Sequence, residues 1–191
     1  NGIKLSQNDP IGKAFIEFQK YLLSLHERGI ILAVNSKNNL EDAIQVIKEH
    51  PNMVLREKHF SCLKINWNDK VINLQEIAQE LNIGLDSILF MDDDQVNRDY
   101  VREALPEVLT IELPNDPSLY ALKLTELNDF NVIKITGEDK KRGEMYLQQR
   151  RRTEFQKTTI NFEEYLKKLN IKIHIKKADE FTIPRISQLI L

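Results

Sequence analysis

The stretch Ser87-Ile88-Leu89-Phe90-Met91-Asp92-Asp93-Asp94 decides the fold. It reads as a short apolar strand that runs straight into a row of carboxylates. An apolar run bounded by polar residues fits a buried central strand of a parallel sheet. Ligands of such sheets bind beyond the carboxyl ends of the strands. Adjacent acids at that edge repel one another and stay ionised most easily around a hard cation. An acidic loop that merely caps the next helix would account for the same residues, so the stretch is read together with its neighbours.

A second apolar run, Ile30-Ile31-Leu32-Ala33-Val34, leads into Asn35-Ser36-Lys37-Asn38. A hydroxyl and an ammonium at a strand's end suit a phosphoryl oxygen. Asn38, with Glu41 three residues on, also reads as a capping box for a helix over 39–49. Both readings can hold, since helix N-termini favour anions. Lys70 follows Asn66-Trp67-Asn68-Asp69 and opens another helical pattern. One such lysine is ordinarily a surface residue. Polar features after successive apolar segments point together to one site.

Outward from these, strands and helices alternate. Residues 10–27 predict an amphipathic helix with Ile11, Phe15, Phe18, Leu22 and Leu25 on one face. Asp9 and Pro10 suit its start. His26 suits its C-terminal dipole, and Gly29 its stop. Strands are expected at 30–34, 62–66, 87–91 and 108–113, with a short apolar Met53-Val54-Leu55 between the first two. Helices are expected at 39–49, 70–82 (Ile72, Ile77, Ala78 and Leu81 apolar), 95–104 and 117–127 (Leu119, Leu122, Leu124). This alternation predicts an α/β fold with a doubly wound parallel sheet. After Thr136 the chain becomes charged. A helix over 138–157 carries Arg150-Arg151-Arg152, read as a solvated face. A short helix at 161–169, a strand at 171–175 and a helix opening at Thr182-Ile183-Pro184 end the chain.

A length of 191 residues suits one domain and part of another. A hydrophobic content of 41% supports a real core, and a net charge of −2 argues against a strongly basic nucleic-acid binder. The single cysteine, Cys62, rules out a disulfide within the chain and points to a reducing, cytoplasmic setting. It is read as a packed, inert thiol. The histidines show no metal-ligand spacing. No apolar run approaches a membrane span.

The order Ser36-Lys37 after one strand, Lys70 before a helix and Asp92-Asp93 after the next strand resembles motifs of the haloacid dehalogenase (HAD) superfamily. Its FkbH-like branch is the nearest resemblance. Gly2-Ile3-Lys4-Leu5, Phe15-Ile16-Glu17-Phe18-Gln19, Arg28-Gly29-Ile30, Ala33-Val34-Asn35-Ser36-Lys37-Asn38, His50-Pro51-Asn52-Met53-Val54-Leu55, Ile65-Asn66-Trp67 with Lys70, and Phe90-Met91-Asp92-Asp93-Asp94 carry it. Ala104-Leu105-Pro106-Glu107-Val108 and Glu144-Met145-Tyr146 fit as well. The resemblance implies a HAD-type, Rossmann-like domain over 1–137. A helical linker over 138–169 would follow, then the start of an acetyltransferase-like domain over 170–191. It implies a Mg²⁺-dependent phosphohydrolase or phosphotransferase of secondary metabolism acting on a small phosphorylated metabolite. In polyketide-pathway relatives it also implies transfer of a glyceryl group to an acyl carrier protein.

The roles implied are Asp92 and Asp93 for Mg²⁺, Ser36 for a phosphoryl oxygen and Lys70 for the charge on nucleophile and phosphoryl group. Asn35 and Lys37 would contact substrate, and Asp94 would serve as a cap. Two departures stand out. The family's Asp-x-Asp nucleophile has no counterpart before Asn35, so the nucleophile is expected upstream of this chain. The chain has Asn35 where glyceryl-loading relatives have cysteine, and an amide cannot carry a thioester. A receiver domain would place its acidic pair after the first strand, against the order seen. The alternative from another class is a non-catalytic carrier-protein docking module with a degenerate HAD site. The expected sheet puts a nucleophile strand between 30–34 and 87–91, leaving those two not directly paired in this chain.

Overall fold

Helices alternate with parallel strands along the first four-fifths of the chain. The computed structural model describes residues 4–127, 130, 137–158, 175, 177–180, 182 and 183. Its helices are α1 (Pro10–Glu27), α2 (Leu40–Glu49), α3 (Lys70–Leu81), α4 (Gln95–Ala104), α5 (Tyr120–Thr125) and α6 (Gly137–Thr158). Its strands are β1 (Leu32–Lys37), β2 (Phe60–Asn66), β3 (Leu89–Phe90) and β4 (Leu109–Thr110). The chain divides into two units, Asn1–Arg152 and Thr153–Leu191. The first includes most of α6, part of the stretch expected to be a linker. The expected helix at 161–169, the strand at 171–175 apart from Ile175, and the closing helix beyond Ile183 lie outside the described residues. So does the acetyltransferase-like start that they would form.

Local chemistry sets the helix limits. Asp9 accepts the Gly12 N–H at 2.7 Å, and Pro10 fills the first turn of α1. Gly29 then takes φ 96°, a left-handed turn that favours glycine. Asn82 ends α3 in the same region at φ 52°. The capping box expected at Asn38 and Glu41 does not form. Asn39 is the N-cap of α2 without a side-chain cap, and the Asn38 side chain accepts the N–H of Asn39 instead.

The strands begin and end where their partners allow. The Ile30 N–H still bonds the Leu25 carbonyl, so β1 starts at Leu32 and runs to Lys37, paired with Asn66 of β2. Met53-Val54-Leu55 forms no strand; Val54 and Leu55 N–H groups both bond the Gln19 side chain. Among the described residues there are two parallel pairs, β1–β2 and β3–β4, with β1 and β3 unpaired to each other. Ala33, the second residue of β1, is exposed and its apolar neighbours are half-buried, unlike a strand inside a complete parallel sheet.

One helix ties the pairs together. On α3, Val71 and Leu74 pack with Phe90 of β3 and Val101 of α4, while Ile77 and Leu81 pack with Cys62 of β2. Each well-buried leucine of this kind contributes about 1.5–3 kcal/mol of transfer free energy. Ile16 of α1 is buried and Ile11 is not, and Ile72 of α3 faces out, contrary to the expected faces. Leu124 of α5 is buried, but Leu119 and Leu122 are exposed. Arg150 corrects the expected solvated face of α6. It is buried and donates to the Phe60 carbonyl at 2.7 Å, while Arg151 and Arg152 are exposed. No helix among the described residues is long and apolar enough to cross a membrane.

Candidate active site at the strand ends

The carboxyl ends of β1, β2 and β3 meet at the first turn of α3. Asp69 caps that turn by accepting the Val71 N–H at 2.9 Å, which fixes Lys70 as its first residue. Lys70 is only 6% exposed. A buried ammonium is costly without partners. Here its Nζ donates to the Asn35 carbonyl at 2.6 Å and lies 3.0 Å from Asp92 Oδ2. A lysine ammonium has three donors. The third has no partner among the described residues.

Asp92 follows β3 by two residues. Its Oδ1 accepts the Asp94 N–H at 2.9 Å and the Asn97 amide at 3.3 Å. Asp94 is the N-cap of α4, accepting the Val96 N–H at 2.9 Å. From the first turns of α4, the buried Arg98 guanidinium reaches back. It donates to the Asp92 carbonyl at 2.8 Å and the Asp93 carbonyl at 3.0 Å, and pairs with Glu112 at 2.6 Å. The acidic loop is thereby held at its backbone.

The expected site residues divide into two groups. Asn35, Lys70 and Asp92 converge. Asn35 was expected to touch substrate, but its amide is spent internally: Nδ2 donates to the Lys70 carbonyl at 2.9 Å and Oδ1 accepts from Asn73 at 3.0 Å. Ser36 is half-buried and, by the alternation of a strand, faces the side of β1 opposite Asn35. Lys37 is exposed at the end of β1. Asp93 is exposed on the acidic loop. Burial raises the pKa of the nearby Tyr120 phenol, and the Asp93 carboxylate adds to the shift.

Asn73 and Arg98 did not emerge from motif reading. Each is a polar residue on the apolar face of its helix: Asn73 four residues before Ile77, and Arg98 three before Val101. That placement was the available signal.

The donor set suits a hard cation. Carboxylate oxygens on adjacent residues are Mg²⁺ ligands by type, and the Asp93 carboxylate is open to solvent. Among the described residues no group of three His, Cys, Asp or Glu side chains stands ready to hold a metal. The acidic loop thus offers donors of the right type for part of such a site.

No family model and no curated protein matches this sequence. Among solved structures, the chain is similar to the N-terminal part of the protein BF1531 from Bacteroides fragilis, which contains a phosphatase domain and was crystallised in complex with Mg. The two share 41% identity with a TM-score of 0.67, over 70% of this chain and 35% of that one. The chain thus spans about a third of the length of that structure. It shares the mixed α/β fold of a phosphatase domain.

Proposed function

We propose that this chain carries most of a Mg²⁺-dependent, HAD-type phosphohydrolase or phosphotransferase site of the FkbH-like kind. The observation that carries the reading is the Lys70–Asp92 ion pair, which joins the ends of β1, α3 and β3. The likeness to a phosphatase domain that binds Mg supports it. The substrate class is a small phosphorylated metabolite, of glyceryl type in the nearest resemblance.

In this reading Asp92 and Asp93 would hold Mg²⁺, which when bound places positive charge beside the phosphoryl oxygens. Lys70 turns its unpartnered N–H toward the phosphoryl group and the nucleophile, stabilising charge as it redistributes. Ser36 offers its hydroxyl to a phosphoryl oxygen, and Lys37 stands at the rim for the rest of the substrate. The HAD resemblance implies an aspartate nucleophile on a strand between β1 and β3. Its carboxylate attacks phosphorus, the bond from phosphorus to the substrate oxygen breaks, and that oxygen takes its proton from solvent water. Water then cleaves the acyl phosphate and regenerates the carboxylate.

The test is hydrolysis of glyceryl phosphates and of a chromogenic phosphate ester by the intact protein. Phosphate release should require Mg²⁺, stop on chelation and return when Mg²⁺ is restored. No release from any ester with Mg²⁺ present would overturn the reading. A second reading, a docking module for an acyl carrier protein, rests on exposed apolar side chains just after β2 and in the first turns of α2 and α3. Trp67 is 69% exposed, with its Nε1 held by Asn39 at 3.2 Å, and Leu40 and Ile72 are exposed nearby in sequence. Carrier-protein binding without phosphate release would favour it.

A further inference from the structure

Three asparagines from separate elements form a closed amide cluster directly behind Lys70. Asn73 of α3 is 0% exposed. Its Nδ2 donates to Asn35 Oδ1 of β1 at 3.0 Å and to Asn66 Oδ1 of β2 at 2.9 Å. Asn66 returns the favour, donating to Asn73 Oδ1 at 3.1 Å, so the two amides bond reciprocally. Asn35 Nδ2 then donates to the Lys70 carbonyl at 2.9 Å, and the Asn35 backbone carbonyl accepts from Lys70 Nζ at 2.6 Å.

We infer that Asn73 is a positioning residue for Lys70, acting through Asn35. A buried amide costs free energy unless its donors and acceptor are all satisfied, and here they are. A satisfied buried network holds one geometry. Asn35 grips Lys70 at both ends, main-chain carbonyl and ammonium, and Asn73 fixes the rotation of the Asn35 amide that makes the first grip. Asn66 locks Asn73 in turn to the end of β2. The consequence falls on the third N–H of Lys70. With Asn35 and Asp92 holding two donors in fixed directions, the remaining one points in one direction only. The cluster thus aims a donor, and touches neither substrate nor phosphoryl group itself. A lysine on a flexible four-carbon stem needs such a restraint, because loss of alignment at a reacting centre lowers the rate even when binding survives.

This inference rests on the phosphoryl-transfer reading for its catalytic meaning, and its test separates the two. In the intact protein, phosphate release would be measured for Asn73→Ala, Lys70→Ala and the double variant. Asn73→Ala should lower kcat by roughly ten- to a hundred-fold, with KM within about two-fold. In the Lys70→Ala background the same change should lower kcat by less than about two-fold, because residues acting as a unit are not additive. Equal losses in both backgrounds, or no loss in a folded variant, would overturn the inference. Acetylation of Lys70 by acetic anhydride, followed by mass spectrometry against the exposed Lys20, gives a readout free of activity. Lys70 should be protected in the parent and acetylated faster, by about ten-fold or more, in Asn73→Ala. Should the parent release no phosphate, the proposed function fails and acetylation alone decides the positioning. Unchanged Lys70 acetylation in a folded variant rejects it. If Asn73→Ala does not fold, Asn35→Ala, at a half-buried strand end, undergoes the same measurements. Failure of both variants to fold would show that the cluster builds the fold rather than aims the lysine, and overturns the inference.

Discussion

Lys70 Nζ lies 3.0 Å from Asp92 Oδ2, and each side chain is only 8% exposed. The pair spans the gap between the first turn of α3 and the loop after β3, two elements that no strand pairing joins. Removing either partner leaves the other charged and buried, a loss of about 3–5 kcal/mol in comparable cases. Lys70→Met and Asp92→Leu should each lower the denaturation midpoint sharply. The double variant should recover most of that loss, because paired apolar groups replace a buried ion pair at little cost. All three should release phosphate far more slowly than the parent. If the double variant is as unstable as the sum of the singles, the ion pair is not the coupling between these elements.

Asp93 separates chemistry from stability. Its side chain is exposed and no bond to it is needed by the fold. Asp93→Asn should therefore change stability by no more than about 0.5 kcal/mol. Phosphate release should nevertheless fall by roughly 10²–10³-fold, the range for one lost electrostatic group at a reacting centre. Mg²⁺ titration by calorimetry should show weakened binding. Parent-like turnover and Mg²⁺ affinity would remove Asp93 from the metal site.

Much of this site was legible because strand ends, acids and helix starts leave patterns in the chain. The helix start at Lys70 stands where it was expected, whereas the strand expected over 87–91 shortens to Leu89–Phe90, because a turn of 3-10 helix takes up Leu85–Ser87. The limits were less legible. β1 runs on through Ser36 and Lys37 because β2 extends alongside it to Asn66, a partner that lies 29 residues away in register. Long-range pairing of that kind has no local signature. The roles of Asn73 and Arg98 were hidden for a related reason. Their partners are main-chain carbonyls and amides from other elements, which no spacing in the sequence announces. Ile11 and Ile72 were misplaced because a helical period gives a stripe but not its width.

Arg98 should matter more for the acidic loop than for bulk electrostatics. Arg98→Lys keeps the charge but cannot span two carbonyls and Glu112 in one planar fork. Both Arg98→Lys and Arg98→Met should be destabilised, by about 1–3 kcal/mol for the buried acceptors left bare. Mg²⁺ affinity should fall in Arg98→Lys although the formal charge is unchanged. Equal affinity in Arg98→Lys and parent would show that the loop keeps its shape without the fork.

Cys62 is 0% exposed, and burial, with the Glu80 carboxylate adding to it, pushes its thiol up from 9.0 to about 12. The folded protein therefore holds this proton more tightly than the unfolded chain. Above the ordinary thiol range the unfolded state binds fewer protons, so stability should fall as pH rises from 9.0 toward about 12. Below that range the thiol contributes no pH dependence. A disulfide-exchange reagent at neutral pH should react with Cys62 only after denaturant is added. Incubation with a glyceryl phosphate donor should leave no acyl adduct on Cys62 or on residues 33–38, where Asn35 supplies no thiol. Rapid labelling of the native protein, or an adduct at either place, would contradict the packed assignment or the absence of a thioester site.

The last expectation concerns the edges of β1 and β3. Among the described residues each strand has a partner on one side only, β2 and β4 respectively. Yet the Asn35 carbonyl at the end of β1 and Asp92 after β3 both reach the same ammonium. The two edges therefore lie close enough to share a lysine without pairing. Exposed Ala33 marks the open flank of β1. Parallel strands pair at about 4.8 Å, and unpaired edges recruit other chains. Residues 1–191 expressed alone should self-associate, seen as light scattering that grows with concentration. Amides of β1 that face away from β2 should exchange rapidly with solvent. This chain joined to a segment carrying a strand that ends in aspartate should be monomeric, with those same amides protected. A monomeric 1–191 with every β1 amide protected by direct pairing to β3 would reverse the sheet order. The proposed phosphoryl-transfer site would then lose the strand on which its nucleophile is placed.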